Sequence, residues 1–569
     1  MKIFIMLGAK ELLGHRSTIP DVIETVRALN TRAVFAVSSQ VLNALAHDLL
    51  RDFRDDQGPL LEWLPQEARR RLKEMPRKPD ADYKIFHPLQ QLVLLHLAAR
   101  HGQQDERGLE LSSQEGIERW SVASLQINDH LSKGSIPTQI SRREKILELA
   151  AEMLPEWELV NWVDPNRSLS RLLYMIREVP TLGGKYKQAV DKVTARFQEY
   201  IGLEFQEAFD LTALLIYWWL ANAEGISRDA NSATLFDNST WLSNTTITKE
   251  TFDRYLEAMA CTVENIPDAF DKLDVKPGKA YFVETLPFRR RPLLRVTPDR
   301  TAILYPQLLG DKGGVDLLWL LTANPGGPRE MDLWTSDFGY LLEGYVRMVL
   351  QNLGEHIGGT YVPCVEWNQD TGGEVDGLVH SGRFLVVIEV KGSFLSPRVK
   401  NRGTAKELET EFRRKFIKGT KNEPKGIGQL VRALQWLGRQ RRDGIPVRGV
   451  DLRRVDTILP VLIVAERSLR FRSLSEWFDY EFRSMLGNSP WKVGALTICG
   501  LEDLDTLEER SLAGQHTLVE ALAQYDFAAP RAERPVWEVF PSTRQRHPRL
   551  GAVHDRWLNA VQARGILKQ

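Results

Sequence analysis

Cysteine is nearly missing from this chain: Cys261, Cys364 and Cys499 are the three in 569 residues, and they lie far apart. Such spacing excludes a disulfide framework and a cysteine zinc cluster. Net charge is missing too, because 75 Lys and Arg balance 75 Asp and Glu. The chain as a whole therefore has no pull on polyanions, and any such surface has to be local. No apolar run reaches the length of a bilayer crossing. The most apolar, LTALLIYWWLANA at 211–223, reads as a buried helix with an aromatic core. The opening MKIFIMLGAKELLG meets charge too soon for a secretion signal, so a cytoplasmic location without membrane contact is expected. Repeats, heptad arrays and low-complexity tracts are absent, and no GxxxxGK[ST] loop occurs, which argues against an ATP-driven motor. Gly183-Gly184-Lys185 comes nearest, but Tyr186 stands where that loop needs Ser or Thr.

What is present exceeds one hydrophobic core and predicts roughly two to four domains. Residues 1–240 read as a mostly helical domain with a short strand at 2–7. Helices are expected at 20–29, 39–49 (capped by Ser38 or Ser39), 89–101, 143–154 and 168–176. A domain of this size suits sensing, recruitment of a protein partner, or homo-oligomer formation. Residues 241–330 read as a mixed α/β region, with a helix at 252–262 and strands at 281–284, 293–296 and 301–308. Pro325-Gly326-Gly327-Pro328 marks a boundary, residues 331–530 form the next domain, and residues 531–569 are a tail that packs onto it.

The third region is organised around TGGEVDGLVHSGRFLVVIEVKGSF, residues 371–394. Period-2 alternation around Glu374 and Asp376, a Ser381-Gly382-Arg383 turn and the β-branched run 384–390 predict a hairpin. Side chains two apart share a face, so Glu374 pairs with Asp376 on one strand and Glu389 with Lys391 on the other. The hairpin thus gathers up to three carboxylates and one ammonium. Oxygen ligands of this kind suit Mg²⁺, which takes one or two carboxylates together with water and substrate phosphate. The alternative is an edge hairpin with a surface Glu389–Lys391 ion pair. Against it, Glu389 interrupts LVVIEV, a strand apolar on both faces, where a carboxylate needs a partner or a metal.

Asp376, twelve intervening residues, then Glu389-Val390-Lys391 resembles the core motif of the PD-(D/E)xK nuclease superfamily, with Val375 in place of the frequent proline. The resemblance covers about residues 335–510. It implies an α/β fold, a restriction-endonuclease-like mixed sheet core with flanking helices, preceded here by the large helical region. It also implies a catalytic set of Asp376, Glu389 and Lys391, with Mg²⁺ (Mn²⁺ substituting) held by Asp376, Glu389 and the Val390 carbonyl. A helix capped by Ser336 or Asp337 precedes the hairpin, and family members often place a metal-site glutamate there. Glu343 is the match, Glu355 the poorer one. Gln429, on the amphipathic helix 427–437, matches a glutamine that some members use. Strands at 360–367, 458–465 and 494–499 and a helix from 501 complete the expected order.

Residues 398–442 hold fourteen Lys or Arg against four Glu. Arg398, Lys400, Arg402, Arg413, Arg414, Lys415, Lys418, Lys421 and Lys425 form the main body, beginning just beyond Lys391, and predict contacts with a phosphate backbone. The expected function is that of a metal-dependent DNA endonuclease, with host defence or restriction implied by the resemblance alone. The alternative is a catalytically silent nucleic-acid-binding or assembly protein that keeps the nuclease fold.

Overall fold

The structure is a computed structural model that describes residues 3–51, 58–76, 81–105, 107–131, 141–160, 164–223, 235–271, 285–312, 314, 317, 328–368, 373–419, 423–529, 532, 534–541 and 546–566. It is mixed α/β. The expected N-terminal strand is β1 (Ile3–Met6), paired in parallel with β2 (Ala81–Lys84), whose four residues ADYK alternate over too short a run to announce a strand. A second sheet has the order β3-β6-β5-β4, from β3 (Leu235–Asp237), β4 (Ala260–Thr262), β5 (Leu293–Thr297) and β6 (Arg300–Ile303).

The main sheet takes β7 (Thr360–Asn368), β8 (Gly373–Ser381), β9 (Phe384–Lys391), β10 (Thr457–Val464), β11 (Lys492–Val493) and β12 (Thr497–Gly500). Its order is β11-β10-β9-β8-β7, with β12 also on β10. The strands β7, β8 and β9 are an antiparallel meander, whereas β9 and β10 are parallel. A parallel pair needs a long crossover, and residues between Lys391 and Thr457 supply it.

Among the helices α1 (Arg142–Val160), α2 (Pro165–Arg177), α3 (Gly184–Ile201), α4 (Pro328–Asn352), α5 (Ile427–Asp443), α6 (Leu501–Leu512) and α7 (Pro548–Ala563), α4, α5 and α6 pack on this sheet, α2 and α3 pack on α4, and α7 packs on α2. The pleat sorts β9 between two layers. Val386, Ile388 and Val390 join the apolar cluster of α4, which includes Leu342, Val346 and Val349. Leu385 and Val387 join a second cluster with Ile427, Leu430, Val431, Leu434 and Leu437 of α5, the apolar face of that amphipathic helix. A strand covered on both faces reads as a continuous apolar run, which is why LVVI and ILPVLIV were legible as strands.

Several expectations are corrected. The helix expected from Ser336 or Asp337 begins at Pro328, and Asp337 lies buried inside it, paired with Arg196 (3.0 Å) and Lys192 (3.5 Å) of α3. The helix expected at 39–49 is Thr31–Arg51: Asn30 Oδ1 accepts from the Ala33 amide at 3.1 Å, and buried Ser38 accepts from Trp120 Nε1 at 3.0 Å. The run 301–308 splits, since Pro306 cannot donate to a ladder and opens a helix to Lys312. The expected strand at 281–284 and the Pro325-Gly326-Gly327 boundary lie outside the described residues.

One apolar cluster runs from Leu7 to Ile566 through all four expected regions. The tail helix α7 packs on α2, Trp557 Nε1 donates to Asp210 at 2.8 Å, and Arg549 pairs with Glu508 of α6 at 2.6 Å. Among the described residues no helix is long and apolar enough to cross a membrane.

Candidate active site

The β8–β9 hairpin turns on Gly382 and Arg383, with Ser381 opposite Phe384. Gly382 has φ 54°, a left-handed conformation that glycine adopts without penalty. From the turn the register runs through the Gly377–Ile388 pair, so the next residues along, Asp376 and Glu389, face each other across the strands. Val390 N–H donates to Asp376 Oδ2 at 2.7 Å, which fastens the aspartate to the β9 backbone. On β7, Cys364 falls between the pairs Pro363–Gly377 and Val365–Val375, hence across from Asp376, and has φ 48°. A left-handed non-glycine residue stores strain, and such residues cluster at functional sites.

Glu389 is 1% exposed, and its Oε1 lies 2.8 Å from Lys391 Nζ. Among the described residues its Oε2 has no hydrogen-bond partner. An orphaned, desolvated carboxylate oxygen is costly, and a cation is the natural relief. Burial, only partly offset by Lys391, pushes the Glu389 carboxyl up to about 7. Burial, and then the neighbouring Glu389, hold Asp376 well above the carboxylate range. Desolvation works against the Lys391 ammonium, yet Glu389 and Asp376 keep it above its ordinary value. Two carboxyl groups and one ammonium thus meet here, Glu389 buried, Asp376 and Lys391 half-buried.

Glu343 of α4 is close enough to act electrostatically on Asp376, Glu389 and Lys391. Glu355 sits exposed in the 3₁₀ turn Gly354–Ile357. The first turn of α5 covers the stem of Lys391: a Cβ on Gly426 would lie 3.3 Å from Lys391 Cγ. Gln429 Oε1 accepts from the Gly426 amide at 3.0 Å, so Gln429 caps its own helix beside the site. Sequence reasoning missed Lys185. Its Nζ donates to Glu343 Oε2 at 2.9 Å and lies 4.0 Å from Glu374 Oε1. Nothing in local spacing marks it, because α3 is brought to α4 by packing alone.

The basic segment is largely engaged inside the protein. Lys400 pairs with buried Glu466 at 2.9 Å, and Arg413 bridges Glu409 (3.1 Å) and Glu481 (2.8 Å). Lys415 pairs with Glu411 at 3.1 Å and donates to the Phe394 carbonyl. Arg398 pairs with Glu407 at 2.8 Å, and Lys425 lies 3.7 Å from Glu423. Arg143 of α1 enters the same network, 2.8 Å from Glu409 and 2.6 Å from Glu481. Arg414 and Lys418 are exposed and form no ion pair among the described residues. The Arg402 side chain and all of Lys421 lie outside them. The fourteen-to-four count overstates the free charge because Glu466 and Glu481, distant in sequence, come back to neutralise it.

Among the described residues no three His, Cys, Asp or Glu side chains converge as a metal-holding group. Asp376 and Glu389 are the two carboxylates here that could serve an ion, and Mg²⁺ commonly takes one or two together with waters and substrate phosphate. Compared with family models, curated proteins and solved structures, the chain matches none.

Proposed function

We propose that the chain is a Mg²⁺-dependent endonuclease that hydrolyses phosphodiester bonds of DNA, with Mn²⁺ able to substitute. The observation that carries this reading is half-buried Asp376 opposite buried Glu389 on adjacent strands, with Lys391 beside them and Glu389 Oε2 without a hydrogen-bond partner among the described residues. Support comes from the order of a long helix, a three-stranded antiparallel meander, a helical crossover and a parallel strand, which is the order the PD-(D/E)xK resemblance implies. A restriction-endonuclease-like core is part of the same proposal, and host defence or restriction follows from the resemblance alone.

Asp376, Glu389 and the Val390 carbonyl would hold the ion, which when bound supplies an acidified water and offsets phosphate charge. Lys391, held above its ordinary range, stays protonated and stabilises the charge that develops on the phosphate oxygens. The Val390 amide keeps the Asp376 carboxylate oriented, and the hydrophobic layers of α4 and α5 exclude bulk water from its far side. The second reading is a silent DNA-binding protein. It is favoured by Lys391 closing on Glu389 and Lys185 closing on Glu343, an arrangement that neutralises two carboxylates without any metal.

Cleavage of duplex and single-stranded DNA by the purified chain decides between them. The expected result is cutting with Mg²⁺ or Mn²⁺, none with EDTA, and loss of cutting in Asp376→Ala, Glu389→Ala and Lys391→Ala, with DNA affinity in Ca²⁺ retained. Cutting that survives the Asp376/Glu389 double substitution refutes this site. A wild type that binds DNA but never cuts supports the silent reading.

A further inference from the structure

Lys185 reaches the site from the region that precedes the sheet. It is the second residue of α3, after Gly183 and Gly184, whose φ values are 68° and 51°. Besides its 2.9 Å bond to Glu343, the ammonium sits over the rings of Tyr340 and Tyr186, at 4.8 and 5.3 Å from their centroids. Two aromatic faces and a carboxylate hold a flexible side chain in one place. The approach of the two helices is fixed at the same turn. A Cβ on Gly344 would fall 2.5 Å from Val179 Cγ1 and 3.1 Å from Tyr186 Cδ1, so only glycine at 344 lets α3 lie this close to Glu343.

Lys185 thus touches Glu343 and comes near Glu374, and both of these carboxylates act electrostatically on Glu389. We propose that Lys185 is a positioning residue of the phosphodiester reaction: it holds the Glu343 carboxylate toward the Asp376–Glu389 pair and moderates the negative charge that a divalent ion meets there. The inference rests on the nuclease reading of the site. It makes the helical first region a contributor to the active centre, in addition to any role in sensing or assembly. Lys185 acts through Glu343, as an outer partner that orients a carboxylate does in metal sites generally. Because it also carries charge, removing it has two opposed effects. Orientation is lost, which slows the reaction, and a cation is lost, which favours binding of another cation.

The test uses the full chain and two readouts, steady-state cleavage with Mg²⁺ and calorimetric titration with Mn²⁺ alone. Lys185→Met is expected to lower kcat by about 10- to 100-fold, the range for outer-shell partners, with KM for DNA within about threefold. The same variant should bind Mn²⁺ at least about threefold more tightly, since a like charge has left the site. Lys185→Arg keeps the charge and the ion pair and restores both values. In a Glu343→Gln background, Lys185→Met should lower kcat no further. The neighbouring Lys187→Met, exposed and paired with Asp191, is the control. Unchanged kcat in an active enzyme, an additive loss in the Glu343→Gln background, or weaker Mn²⁺ binding with a lowered melting temperature overturns the role of Lys185 alone. A wild type that neither cuts DNA nor binds Mn²⁺ overturns the nuclease reading and this inference with it.

Discussion

Replacing Glu389 by Gln should stabilise the protein at alkaline pH while abolishing its activity. The folded chain holds the Glu389 proton to about 7, against 4.5 for the free side chain. Folding therefore favours the protonated form. The contribution is fully present below about pH 4.5 and is lost as pH rises through about 7. A displacement of roughly 2.5 units at 1.36 kcal/mol per unit amounts to about 3 kcal/mol. Gln is isosteric and uncharged, so it escapes this loss, although Lys391 then lacks its partner at 2.8 Å and part of the gain is given back. In EDTA at pH 8, Glu389→Gln should be more stable than wild type by about 1–3 kcal/mol, and at pH 5 the difference should fall below about 1 kcal/mol. Urea unfolding at the two pH values measures it, read on the transition that loses the sheet. Adding Mg²⁺ at pH 8 should recover stability in wild type by about 2.7 kcal/mol at a hundredfold excess over Kd, and not in the variant. A Gln variant less stable than wild type at both pH values by the same amount would refute the reasoning. Glu389 would then be a member of a structural ion pair and not a carboxylate kept ready for a cation.

Other outcomes follow from the same geometry. Arg414→Gln with Lys418→Gln should flatten the salt dependence of duplex binding, measured by fluorescence anisotropy, by up to about 0.9 in log–log slope for each lost phosphate contact. Arg413→Gln should instead lower the melting temperature, because it leaves buried Glu481 with one cation fewer, and should alter the slope little. Glu502, held at about 2 by Arg171 and Arg470 against the effect of burial, contributes stability above about pH 4.5 that is lost as pH falls toward 2. Arg171→Met should shift the acid-unfolding midpoint, followed by circular dichroism, to higher pH.

The hairpin and its followers were legible because the signal is local. Alternation at 373–381, the apolar runs 384–390 and 457–464, and the stripe of Ile427, Leu430, Val431, Leu434 and Leu437 each report burial by neighbours whatever the distant chain does. Asp376, Glu389 and Lys391 come together for the same reason, since strand pairing across a two-residue turn fixes their register. What stayed hidden is what packing at long range decides. Lys185 lies 158 residues from Glu343, and no spacing rule connects them. The neutralisation of Lys400 by Glu466 and of Arg413 by Glu481 spans strands and helices that the charge count could not place. Cys364 shows no sign in sequence of its left-handed conformation across from Asp376.

That division bears on how the two halves of the chain work together. A local motif can be inherited or lost as a unit, whereas a site that takes Lys185 from α3 depends on the Gly344 contact, the α3–α4 packing and the apolar cluster that runs from Leu7 to Ile566. Tyr345, two residues after Glu343, donates to Asp505 of α6. Asp505 also binds Arg171 of α2 at 2.7 Å, and the Tyr345 hydroxyl accepts from Arg549 of α7 at 2.9 Å. These groups are nearly dry, so breaking one partner leaves an uncompensated charge inside the protein. A displacement of α2 or α7 is therefore resisted at α4, the helix that carries Glu343. The first region and the tail thus meet α4, the helix that carries Glu343, through nearly dry ion pairs and hydrogen bonds around Tyr345 and Asp505.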